Sequence, residues 1–130
     1  MIHQVRWTAQ KIKQRLALIE PLAYRHRQPL SAFRYRPWEG PLDPKLMAPD
    51  FDDGHWTIVL PNTYWGTWRT DFVMRATFQA PDYWDDDAPL ALFLPLGESG
   101  DFSHPEALVY VDGEAIAACD RHHQELRLPA

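Results

Sequence analysis

This 130-residue chain has few cysteines, no long apolar run and few basic residues, and each of these features excludes a class of protein. Its single cysteine, Cys119, excludes an internal disulfide, and we interpret it as a small buried strand residue. It has no run of apolar residues long enough to span a membrane and no signal-peptide pattern, so we expect a cytoplasmic protein without membrane contact. Positive charge is also scarce, with 13 basic against 18 acidic residues, and the net charge of −5 argues against nucleic-acid binding.

The composition is that of a globular domain. Hydrophobic residues make up 45% of the chain and aromatic residues 13%, including six tryptophans. Twelve prolines and six glycines separate short apolar runs, which is typical of antiparallel β structure and not of alternating strands and helices. The chain is long enough to form one domain with its own core.

The first 30 residues carry a helical pattern. Pro21 interrupts it, so we expect a kink or a restart after Glu20. The apolar stripe could be core, or it could dock on a neighbouring domain or support a homo-oligomer. Its residues recur at alternating steps of four and three, and they are Val5, Ala9, Ile12, Leu16, Ile19 and Ala23.

From residue 31 onward the pattern is that of strands, and residues 31–130 are predicted to form a mainly β domain, an antiparallel β-sandwich or jelly roll. Alternation from Phe33 predicts an edge strand ended by Pro37, followed by a loop over residues 39–49. Asp112-Gly113 predicts a tight hairpin turn. Further strands are predicted at 57–60, 72–79, 90–96, 107–112, 115–119 and 124–128.

A polar cluster interrupts the last predicted strand. Asp120, His123 and Glu125 stand where a plain sandwich would continue its alternation, which makes them candidates for hydrogen bonding to a substrate. His122 and His123 are adjacent, so on a strand they point to opposite faces and cannot share one tetrahedral metal site. We therefore predict no metal site in this chain.

Two aromatic or acidic segments have both a functional and a structural interpretation. Trp65 and Trp68, with Trp38, could stack on sugar rings, although most of six tryptophans in one domain must be structural. The acidic segment 82–87 has no fixed calcium-loop spacing, so we interpret it as a solvated turn with Trp84 packed against the sheet.

Several motifs occur in an order that resembles a known family. The chain carries Phe51-Asp52-Asp53-x-x-Trp56 followed by Leu60-Pro61, then Trp65-Gly66, Asp71 to Phe78, Glu106 to Gly113, and Asp120-Arg121-x-His123-Gln124-Glu125. A helix ending at Tyr24 to Arg27 precedes them. Together they resemble the N-terminal domain of glycoside hydrolase family 38, the α-mannosidases, in the branch that includes cytosolic and bacterial enzymes. This resemblance implies a galactose-binding-domain-like β-sandwich.

The resemblance also implies where the chemistry takes place. These enzymes are retaining hydrolases that use a divalent metal, usually zinc, an Asp nucleophile and an Asp acid/base in a catalytic domain, expected here beyond residue 130. This chain would then hold no catalytic residue and no cofactor, its partners being that catalytic domain and, in the full enzyme, α-mannosides. Asp120, His123 and Glu125 would contribute to the substrate rim. A free-standing carbohydrate-binding module and a pure interaction domain are the alternatives.

Overall fold

A computed structural model describes residues 7–85, 87–97 and 105–129 of the chain. The described part contains one α-helix and seven strands, all paired antiparallel, so the predicted mainly β architecture with an N-terminal helix is confirmed at that level. The elements are α1 (Thr8–Ile19), β1 (Phe33–Trp38), β2 (Thr57–Val59), β3 (Asp71–Arg75), β4 (Ala91–Phe93), β5 (Ala107–Val111), β6 (Glu114–Cys119) and β7 (Glu125–Arg127).

The helix ends earlier than the sequence pattern suggests. α1 stops at Ile19, and a short 3₁₀ helix, Glu20–Leu22, carries Pro21 in its first turn, which confirms the predicted break. The extension of the helix to Arg27 is wrong, since residues 23–32 are not helical. Val5 lies outside the described residues. Nowhere in the described ranges is a helix long and apolar enough to cross a bilayer.

β1 is the middle strand of a three-stranded sheet with the order β2-β1-β3, so its assignment as an edge strand is wrong. The sheet tolerates Pro37 for a local reason. β2 pairs with β1 only from Phe33 to Tyr35, whereas β3 pairs with it from Arg34 to Trp38. At Pro37 the strand therefore has one neighbour only, and the missing N–H removes no hydrogen bond to β2.

The remaining strands form two smaller sheets. β4 pairs with β7, and β5 pairs with β6 in a hairpin whose two loop residues are Asp112 and Gly113. Both loop residues have positive φ, 50° and 87°, as a type I′ turn requires, so the predicted hairpin is confirmed. The order of the later strands follows the prediction, with shorter bounds.

β3 illustrates why the strands are shorter. It ends at Arg75 and not at Gln79, since its pairing with β1 ends at Arg34 and Arg75, and the carbonyl groups beyond that point bond to side chains of another segment. The Ser31 hydroxyl donates to the carbonyl of Thr77 at 2.9 Å, and the Gln28 amide donates to that of Gln79 at 3.4 Å. These groups belong to residues 23–32, which we call the strap.

The core is small. Leu46, Trp56 and Val73 form its main cluster, with Trp56 only 5% exposed. Cys119 is buried as well, which confirms its interpretation as a buried strand residue.

The sheets leave much of the chain open to solvent. The accessible surface is 11382 Å², whereas a compact protein of this mass would expose about 7,100 Å². The sheets flank an open groove with a volume of about 3340 Å³. The described residues therefore form three small antiparallel sheets around an open groove.

Candidate functional site

The polar turn between β6 and β7 is built around Asp120. Its Oδ1 accepts hydrogen bonds from the backbone N–H groups of His122 and His123, both at 2.7 Å. The Nδ1 atom of His123 lies 3.0 Å from the same oxygen. The backbone groups of Asp120 and His123 also bond to each other in both directions, at 3.3 Å. Asp120 therefore organises the turn that presents His123.

These hydrogen bonds fix the charge of the turn. The N–H of His122 foremost, followed by the N–H and ring of His123, lowers the pKa of Asp120 below its ordinary value, although partial burial acts in the opposite sense. Burial, and secondarily the nearby charge of Asp120, raises the pKa of the Cys119 thiol. At neutral pH the turn thus contains a carboxylate that only accepts hydrogen bonds beside an unreactive thiol.

His123 is one group of this turn that is open to a ligand. Its side chain is 75% exposed. When Nδ1 carries the hydrogen and donates to Asp120, Nε2 can accept a hydrogen bond from a ligand hydroxyl. His122 is occupied differently, because its Nε2 accepts from the Nε of Arg121 at 3.0 Å. The Nε2 atom of His123 is therefore a hydrogen-bond acceptor whose direction is set by the bond between Nδ1 and Asp120.

Glu125 does not join this network. It lies on β7 opposite Phe93 of β4, and its carboxylate accepts a hydrogen bond from the hydroxyl of Tyr24 in the strap. Sequence reasoning grouped Glu125 with Asp120 and His123 because they are close along the chain. The long-range bond to Tyr24 had no local signal in the sequence.

In the described ranges, no three His, Cys, Asp or Glu side chains come together as a metal site. The hydrogen-bonded side chains of Asp120 and His123 supply at most two ligands, and a closed zinc site needs four. The family resemblance itself implies a divalent metal in the following catalytic domain and none in this chain.

The two candidate stacking tryptophans differ in their surroundings. Trp65 is half-buried and packs between Tyr35 and Phe72, with ring centroids 5.9 and 4.8 Å away. Trp68 is 72% exposed, with the Arg69 guanidinium 5.6 Å from its ring centroid. Tyr64 is fully exposed in the same loop, and sequence reasoning missed it, although its position one residue before Trp65 could have indicated it. Trp65 is structural, whereas Trp68 and Tyr64 are free to stack on a ligand.

The open groove brings some candidates together and leaves others out. Trp65, Trp68 and Glu125 all line it, but Asp120 and His123 do not. Its lining is mainly apolar and includes residues from all three sheets. Among them are Trp38, Met47, Val73, Leu92, Val109 and Tyr110.

Arg75 on β3 explains the motif around Asp53. Its Nε donates to the Asp53 carboxylate at 2.9 Å, and its two terminal nitrogens donate to the carbonyl groups of Leu46 and Ala48. Arg34 on β1 lies 3.4 Å from the other oxygen of Asp53. With its side chain 17% exposed, Arg75 ties the loop before β2 to the sheet. The Phe-Asp-Asp-x-x-Trp motif is therefore structural here.

The strap connects the helix to the β sheets. Arg25 forms an ion pair with Asp85 at 2.6 Å. The His26 ring stacks on Trp84, 5.7 Å away and inclined by 20°. Trp84 is half-buried in this contact, so it packs on the strap, whereas the sequence interpretation placed it against the sheet. Residue 86 lies outside the described residues.

Comparisons with protein-family models, with curated proteins and with solved structures give no match to this chain.

Proposed function

We propose that the chain is the non-catalytic N-terminal domain of a cytoplasmic α-mannosidase of glycoside hydrolase family 38, and that its open groove packs against the catalytic domain. The observation that supports this most is the exposed surface of 11382 Å², about 4,000 Å² more than a compact protein of this mass exposes. The mainly apolar groove between the sheets contributes to this excess, and an apolar surface of this kind supports a partner that covers it. The motifs that occur in the same order as in family 38 indicate that this partner is the catalytic domain.

Packing of this kind would also complete the fold. Two-stranded sheets are marginally stable in water, and here β4–β7 and β5–β6 are both of that type. A neighbouring domain placed against the groove would bring their apolar faces together with the three-stranded sheet. We propose that the sheets then form the jelly-roll sandwich of the family.

In this proposal the chain contributes no catalytic residue and no metal ligand. Retaining glycosidases need two carboxyl groups about 5 Å apart across the scissile bond. The carboxylates of Asp53, Asp120 and Glu125 each bond to a different structural partner. The domain instead supports the catalytic domain and presents His123 at the substrate rim, where its Nε2 would accept a hydrogen bond from a sugar hydroxyl.

Two observations test this proposal. The reading frame downstream of residue 130 should encode several hundred further residues with His and Asp metal motifs. The purified 130-residue chain should not hydrolyse an aryl α-mannoside, with or without added zinc, whereas the complete polypeptide should. Metal-dependent turnover by the chain alone would contradict the proposal.

Trp68 and Tyr64 favour a second candidate, a free-standing carbohydrate-binding module. Two exposed aromatic rings in one loop suit the apolar faces of pyranose rings. Titration of the chain with a mannose oligosaccharide distinguishes the two candidates. Saturable binding that is lost in Trp68→Ala and retained in the control Trp7→Ala would favour the binding module.

A further inference from the structure

One edge of β5 has no neighbouring strand. β5 pairs with β6 on its other side, and within the described ranges no further group is hydrogen-bonded to its backbone. Alternate residues of a strand direct their N–H and C=O groups to opposite sides, so half of these groups in β5 face away from β6. A row of unpaired backbone groups is a template for the addition of another strand.

β5 also lacks the features that normally keep a free edge from pairing, which are short length, charged side chains, proline and β-bulges. It has five residues, Ala107–Val111, without a charge, a proline or a glycine. The hairpin does contain a bulge, but the bulge lies on β6. Val109 pairs with Ala117 and Tyr110 with Ala115, so Ile116 is the extra residue. The bulge bends β6, whereas β5 stays regular.

Every other outer strand among the described residues carries at least one protective feature. β2, β4 and β7 have only three residues each. β3 begins with Asp71 and ends with Arg75, and β6 begins with Glu114 in addition to its bulge. This contrast identifies β5 as the edge that is open to a further strand.

We propose that β5 pairs antiparallel with β5 of a second copy of the chain, about a two-fold axis at Val109. This register places Ala107 opposite Val111 and Leu108 opposite Tyr110 of the second copy, so apolar and aromatic side chains meet along the whole strand. The two hairpins then form one four-stranded sheet. Pairing stabilises both copies, because an isolated two-stranded hairpin is only marginally stable in water.

This assembly closes at two copies. Each copy contributes its unprotected edge to the same two-fold interface, and the outer strands of the new sheet are the bulged β6 strands. Acidic residues at the ends of β5 limit the affinity, since the register brings Glu106 of one copy close to Asp112 of the other and like charges repel. We therefore expect a weak dimer. This inference is independent of the mannosidase assignment.

Sedimentation velocity of the 130-residue chain from 1 to 200 µM tests the assembly. We expect monomer and dimer only, with a dissociation constant that falls at least threefold between 50 and 400 mM NaCl, because salt screens the repulsion between Glu106 and Asp112. Glu106→Lys should replace this repulsion by attraction and tighten the dimer at least fivefold. The control Glu39→Lys makes the same change of charge in the loop after β1 and should alter the dissociation constant less than twofold.

A second pair of variants tests whether the edge of β5 is the contact. Leu108 is 66% exposed, so Leu108→Lys removes no buried contact within the chain, and a lysine on an edge strand opposes pairing. This variant should weaken the dimer at least tenfold. The control Phe93→Lys places a lysine at a 61% exposed position of β4 that also lines the groove, and it should change the dissociation constant less than threefold. Circular dichroism verifies the fold of each variant.

Disulfide cross-linking tests the register. Residues directly opposite each other in paired strands have Cα atoms about 5 Å apart, within reach of a disulfide. Val109→Cys should therefore form a covalent dimer under mild oxidation. The control Ala107→Cys should not, because position 107 lies about 13 Å along the strand from its counterpart in the second copy. Cys119 is buried and is common to both variants.

Three results would each overturn the proposal of a β5-paired dimer. The first is a wild-type chain that remains monomeric at 200 µM. The second is the growth of assemblies larger than a dimer. The third is cross-linking of Ala107→Cys without cross-linking of Val109→Cys.

Discussion

Asp53 and Asp120 are both turn-forming aspartates in distinctive motifs, and their surroundings differ in kind. The Asp53 carboxylate meets Arg75 and Arg34, which lie on different strands. The Asp120 carboxylate accepts from the backbone N–H groups of His122 and His123 and pairs with the ring of His123, all within three residues along the chain. The first carboxylate joins distant segments into a fold, whereas the second shapes one exposed turn. Asp53 therefore stabilises the fold, whereas Asp120 holds the turn that presents His123.

We expect the largest loss of stability when the arginine that pairs with Asp53 is replaced. Arg75→Met should lower the free energy of unfolding by about 3 kcal/mol, because it removes the nearer and less exposed partner of the Asp53 carboxylate together with the side-chain donor to the carbonyl groups of Leu46 and Ala48. Urea denaturation followed by tryptophan fluorescence measures this. The matched control Arg34→Met removes the longer, more exposed ion pair and should cost less than about 1 kcal/mol. Equal losses in the two variants would contradict the role given to Arg75.

Asp53→Asn should have an intermediate effect. The amide oxygen of the new side chain can still accept a hydrogen bond from one arginine, but the negative charge that pairs with Arg75 and Arg34 is lost. We therefore expect the free energy of unfolding to fall by about 1.5 kcal/mol. Asp52→Asn is the control, since the Oδ1 of Asp52 accepts only the N–H of Gly54 two residues later, and an amide oxygen can replace it. If Asp52→Asn lowered the free energy of unfolding more than Asp53→Asn does, the structural role given to Asp53 would be contradicted.

The Asp120 carboxylate should make a smaller contribution to the stability of the folded chain, and this contribution should depend on pH. Its pKa is lowered in the folded state, so its contribution to stability is present above the ordinary carboxyl pKa of about 3.9 and disappears as pH falls through the lower folded-state value. The melting temperatures of wild type and Asp120→Asn should differ at pH 7 and converge in acid. A difference that stays constant down to pH 2 would show that the charge of Asp120 is not involved.

The smallest expected effect on stability is that of His123→Ala. Its side chain is 75% exposed, so the melting temperature should change by no more than about 1 °C. In the complete α-mannosidase that we propose, the same variant should lower kcat/KM by a factor of about 5 to 150, the equivalent of about 1–3 kcal/mol. An unaltered kcat/KM in the folded variant would remove His123 from the substrate rim.

The sequence predicts what local chemistry determines. The Asp112-Gly113 turn requires positive φ at both residues, the break of the helix follows from Pro21, and Trp56 and Cys119 are buried as their residue types favour. Positions set by pairing between distant segments could not be predicted in this way. The central place of β1 depends on where β2 and β3 bind.

The candidate site shows the same limit. The turn of Asp120 and His123 is local, and the sequence places its two residues together. The bond between Glu125 and Tyr24 spans 101 residues, and the contacts of Arg75 span up to 29, so no short motif contains both partners. The extent of the open groove depends on all three sheets at once.

The central claim is that the groove between the sheets is covered by the following domain, and hydrogen exchange measures this most directly. Backbone amides of β3, β4 and β5 should be compared in the 130-residue chain and in the complete polypeptide under the same conditions. We predict that exchange at these strands slows at least 100-fold in the complete polypeptide, while the exposed turn of Asp120 and His123 changes little. Equal exchange at the three strands in both proteins would contradict the claim.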